Sequence, residues 1–175
     1  MPKAVLGFVS EDVLSSTAKT IGLAVLVAGT LDLVANFVLW GLWKQISPMR
    51  ICQAVATGFF GKASFDGGWP TAMAGVVTQY CLVLIMAVVL YVAMTRIALL
   101  RRQWLLTALG YGLGLYIVMN YIVVPLSASG RPYPWPIVWD AKLAFNLFCH
   151  IVLIALTFVV IFRRQLQETD SRSAR

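Results

Sequence analysis

Six polar side chains interrupt the long apolar runs of this sequence: Asp32, Asn36, Gln79, Asn120, Asn146 and His150. Asp32 and His150 carry the chemistry. A carboxylate and the chain's one imidazole can share a proton, and the imidazole's ordinary titration makes such a pair sensitive to mild acid. Asp32 and Asn36 are four residues apart, as are Asn146 and His150, so each pair shares one face of a helix, and Gly112, Tyr116 and Asn120 repeat the spacing. A carboxylate near the centre of a bilayer costs on the order of 2.5–3.5 kcal/mol, so Asp32 should point inward and either have a partner or be protonated. The pattern predicts an Asp32–His150 contact beside an outward-facing polar pocket, with Asn36, Gln79 and Asn120 completing the hydrogen bonds. Two other readings stay open. Such residues also hold helices together through interhelical bonds of around 1 kcal/mol each, and a catalytic role is the third.

The elements that must position these residues follow from composition. The chain has 175 residues, 60% of them apolar and only 12% charged. Its mean hydropathy is +0.82. A soluble domain carries about a quarter charged residues, so these values exclude a disordered chain, a disulfide-stapled module and a water-soluble enzyme. They predict an all-α fold, an integral membrane four-helix bundle forming one membrane domain over residues 1–175. About 20 apolar residues cross a bilayer, and four runs qualify: residues 21–43, 72–94, 104–124 and 143–162. Ser47 before Pro48, with Ile51, Val55 and Phe59 at helical spacing and Gly61 beyond, predicts a short interfacial helix over residues 48–61 in the first outer loop. Residues 165–175 form a polar tail expected to fray.

Lys and Arg sort by side. The N-terminal segment, the second loop and the tail hold nine, and the first and third loops hold five. Positive flanks stay in the cytoplasm, so both termini are expected there. In that orientation all six polar residues lie between mid-membrane and the outer surface, while the inner half has only hydroxyls such as Thr107 and Thr157. The apolar run 4–9 is too short for a signal-peptide core, which makes the first span an uncleaved anchor, with a helix start at Ser10-Glu11-Asp12. The turn 65–70 places Trp69 at head-group level. The third loop alternates proline with aromatics from Pro132 to Pro136 and cannot be helical there. It reads either as an interfacial anchor or as a lid over the outer end.

Several chemistries drop out. The net charge of +7 flanks apolar runs, which fits topology and anionic head groups, and no nucleic-acid partner is expected. One histidine excludes di-iron and multi-haem centres, and Cys52, Cys81 and Cys149 form neither a CxxC pair nor a zinc pattern. No intramembrane serine protease context is found, and Asp66 and Asp140 in the outer loops have none of the asparagine-containing surroundings of a lipoprotein signal peptidase, so no catalytic residue, metal or cofactor is assigned. Gly110 and Gly114 form a G-x-x-x-G that serves either close packing within the bundle or a homo-oligomer face.

Met119-Asn120-Tyr121, Val124-Pro125-Leu126-Ser127, the Pro/Trp-rich loop, Asn146, Cys149-His150 and the closing Arg163-Arg164 resemble a family of small bacterial inner-membrane proteins that includes the YagU-like proteins. The segment from Gly58 to Gly68 is similar to related four-span proteins, so the likeness covers roughly residues 50 to 165. It implies a bacterial inner membrane and a loose association with acid resistance, with Asn120, Pro125 and His150 as positions of interest. Gln79-Tyr80 stands where the family often has a histidine, which speaks against a two-histidine site. Two function classes follow. One is a non-enzymatic structural or stress-protective membrane protein, an accessory subunit included; the other is a small oligomeric transporter or channel subunit using an outward-facing Asp/His pocket.

Overall fold

The computed structural model of the chain describes residues 11–131 and 137–173. Among them, four helical stretches are long and apolar enough to cross a bilayer: Ser15–Lys44, Gly68–Arg96, Trp104–Leu126 and Ala141–Thr169, spans one to four. The chain is a multi-pass integral membrane protein with an all-helical fold. The helices are α1 (Glu11–Lys44), α2 (Pro48–Phe60), α3 (Gly68–Arg96), α4 (Ala98–Arg102), α5 (Trp104–Ile117), α6 (Val124–Leu126), α7 (Ala141–Phe148) and α8 (Thr157–Ser173). Two π-helical segments, Val118–Val123 in span three and Cys149–Leu156 in span four, interrupt the regular winding.

Helix ends have local causes. Gln45 closes α1 in the left-handed region at φ 54°, which lets the Ile46 N–H turn back to the Trp40 carbonyl at 3.2 Å. Ser47 then caps α2 by accepting the Arg50 N–H at 3.3 Å, Pro48 fills the first turn, and Gly61 ends the helix at φ 57°. A 3-10 turn, Gly61–Phe65, leads to Gly68 at φ 60° and into α3.

Spans two and four both pack on α1 and touch one another, whereas α5 rests mainly on the π segment of span four. The apolar core fills the half of the bundle nearer the chain termini. Ala24 and Ala28 of α1 meet Val83, Ala87, Leu90 and Met94 of α3 and Phe158, Val159 and Phe162 of α8. Alanines on α1 let the neighbouring helices approach, and Phe158 stacks on Phe162 at 5.7 Å while Tyr91 meets Phe162 edge-on at 5.2 Å.

One expectation is corrected. The tail does not fray at Gln165, because α8 continues to Ser173 and Leu166, one turn beyond Phe162, is buried in the core. The short helix expected after span one is present as α2. It packs along the start of α3 through Cys52, Gln53, Ala56 and Thr57. Gly75 makes this possible, since a Cβ there would land on the Cys52 carbonyl. The proline-rich stretch 132–136 of the third loop lies outside the described residues.

Candidate functional site

Span three leans on span four rather than on spans one and two, so the loop-one half of the bundle stays open. Helix α2 walls one side of this gap. The result is a cavity of about 1000 Å³ lined from α1, α2, α3, the π segment of span three and the base of the third loop. At its deep end stand Asp32, Asn36 and Gln79, with Thr78 beside them. Ile51, Val55 and Phe59 of α2, Leu82 of α3 and Met119 and Val123 of span three form apolar walls, and Arg50, Arg131 and Lys142 stand at the loop end. The α2 stripe therefore faces the cavity.

Asp32 is buried, and its Oδ2 accepts a hydrogen bond from Gln79 Nε2 at 2.7 Å, joining α1 to α3. Asn36 works along its own helix: its amide N–H donates to the Asp32 carbonyl at 2.8 Å and its Oδ1 accepts from the Trp40 indole at 3.2 Å. The Cys149 thiol and, through charge alone, the His150 imidazole are the neighbours of Asp32 from span four.

The six predicted residues divide into two groups. Asp32, Asn36 and Gln79 converge on the cavity. Asn120, Asn146 and His150 lie on spans three and four, where Asn120 donates to the Tyr116 carbonyl at 2.9 Å and His150 Nδ1 bonds the Asn146 carbonyl at 2.8 Å. No hydrogen bond or ion pair joins Asp32 to His150 among the described residues; the imidazole instead meets the Tyr116 ring edge-on at 6.0 Å. Gly112 permits that seam, because a Cβ there would come within 2.8 Å of the His150 carbonyl oxygen.

Both π segments contain members of this second group. Pro125 explains the one in span three: it has no N–H, its ring conflicts with the carbonyl four residues back, and the Val124 N–H reaches to Met119, five residues back. Span four has no proline, and its π segment begins where His150 bonds the Asn146 carbonyl. Such segments recur at functional sites.

Sequence reasoning passed over the polar lock under α2. Gln53, 2% exposed, donates to the Gly68 carbonyl at 3.0 Å, Ser64 donates to the Gln53 carbonyl at 2.9 Å, and Thr71 donates to the Ser64 carbonyl at 2.6 Å. The signal was available, because Gln53 shares a face with Ala56 and Thr57. The three loop-end cations were counted for topology alone. Compared with protein-family models, curated proteins and solved structures, the sequence matches none.

Proposed function

We propose that this four-span protein is a ligand-binding subunit of a small membrane transport or channel assembly. The observation that carries the reading is the cavity: a space of about 1000 Å³ inside a 175-residue bundle, apolar along its walls and ending on a buried carboxylate. Pockets of this size with few polar groups are the usual form of small-molecule sites. With both termini cytoplasmic, as the Lys and Arg distribution supports, the cavity opens outward. The resemblance to YagU-like proteins supports a bacterial inner membrane. Asp32 receives the polar part of a ligand or a proton.

An accessory, structural role is the second reading, favoured by one observation. Gly110 and Gly114 have nothing within 4 Å of an added Cβ, so their close-packing capacity is unused within the monomer and available to a second copy or a partner subunit.

Native mass spectra of the full chain released from its own membrane test the first reading. A retained small ligand, lost when Val55→Trp fills the cavity, is the expected result. A bare chain, or an adduct that Val55→Trp leaves untouched, contradicts it.

A further inference from the structure

The cavity is charged asymmetrically. Its deep polar groups are bonded among themselves, with Gln79 on Asp32 and Asn36 on Trp40 and the Asp32 carbonyl. Its loop end carries Arg50, Arg131 and Lys142, and none of these forms an ion pair among the described residues. Arg50 lies over the Phe65 ring at 4.6 Å, which holds its guanidinium at the mouth. The nearby acids do not neutralise it: Asp140 caps α7 by accepting the Leu143 N–H at 2.8 Å, and neither Asp140 nor Asp66 lines the cavity. Along α1, Asp32 sits twelve residues below Lys44, or about 18 Å at the helical rise, so its charge is remote from the mouth.

We propose, resting on the binding reading above, that the occupant is an anionic phospholipid of the bilayer. Its phosphate sits among Arg50, Arg131 and Lys142, and an acyl chain runs along Val55, Phe59 and Val123. Guanidinium groups match phosphate oxygens in pairs, and unneutralised cations above an apolar wall complement a negative head on an apolar chain. A neutral or cationic amphiphile leaves those cations without a partner.

The full-length protein, delipidated and reconstituted, is offered phosphatidylglycerol, phosphatidylcholine or inorganic phosphate, and bound equivalents are counted by native mass spectrometry. One equivalent of phosphatidylglycerol held about tenfold more tightly than phosphatidylcholine is expected, with the preference abolished in Arg50→Gln/Arg131→Gln/Lys142→Gln. These side chains are exposed, so that variant keeps its fold. Equal retention of the two lipids, or a preference that survives the triple variant, overturns the anionic assignment. If Val55→Trp still displaces lipid in that case, the binding reading stands without it. Phosphate bound as tightly as the lipid overturns the amphiphile, and lipid retention indifferent to Val55→Trp defeats both readings.

Discussion

Gln79 donates its side-chain N–H to Asp32 Oδ2 at 2.7 Å, a bond that ties α3 to α1 within their membrane spans. It gives a buried carboxylate a partner from the neighbouring span, and both residues line the deep end of the cavity. A structural bond and the floor of the cavity are here one contact.

Gln79→Leu removes the donor and leaves the carboxylate without it. Hydrogen bonds to charged groups contribute about 1.5–3 kcal/mol, and thermal unfolding in lipid nanodiscs should show a loss of that order. Asp32→Asn keeps an oxygen to accept the bond, so its loss should be under half as large. Equal losses would mean that the bond does not matter to α1–α3 packing.

Two glycine substitutions should part company. Gly75→Ala drives a methyl group into the Cys52 carbonyl, which is backbone and cannot swing aside, so α2 must lift from α3 at a cost of about 3 kcal/mol or more. Gly114→Ala meets nothing within 4 Å and gains helix propensity, so the isolated monomer should be unchanged or up to about 1 kcal/mol more stable. Chemical unfolding of both variants in detergent checks the contrast.

Gln45 holds a left-handed conformation that glycine adopts freely. Its side chain recovers part of the cost by donating to the Leu42 carbonyl at 3.2 Å. Gln45→Gly should therefore stabilise the turn between α1 and α2 by several tenths to about 1 kcal/mol, read as a raised unfolding midpoint.

Burial pushes the Cys52 thiol above its ordinary value. A raised pKa keeps the unreactive thiol form as pH climbs, so maleimide labelling at neutral pH should be at least about tenfold slower than in the denatured chain and accelerate only beyond the ordinary thiol range. Equal rates in folded and denatured protein would show that the packing of α2 on α3 does not cover Cys52.

The spans were legible because bilayer thickness imposes a length on apolar runs, and α2 because Ser47-Pro48 is a helix-start signature. The packing of α2 was not read, since attention went to Ile51, Val55 and Phe59. Against an apolar solvent, small residues mark the helix contact, and the Cys52/Ala56 face opposite Gly75 is that contact. Leu166 was passed over for a similar reason, as one apolar residue in a polar tail continues the Phe158/Phe162 ridge. Asp32 and Gln79 were recognised as chemistry-bearing by depth and polarity, but spacing within a span does not say which neighbouring span faces it. That depends on how spans three and four seat together, and so on Gly112 and the π segments, whose cause is written in Pro125 for one and in no residue pattern for the other.

The most direct test is whether the cavity can be entered. Thr78 lines it, ten residues and about 15 Å along α3 from Gly68, while its neighbour Val77 is 60% exposed on the outside of the bundle. Single cysteines at the two positions, in a chain whose own three cysteines are replaced by alanine, would be exposed to a membrane-impermeant maleimide on the loop-one side of delipidated protein in phosphatidylcholine vesicles. The account predicts that Thr78→Cys is labelled and then protected by added phosphatidylglycerol, while Val77→Cys stays unlabelled. Both cysteines inert, or both labelled alike, would contradict it.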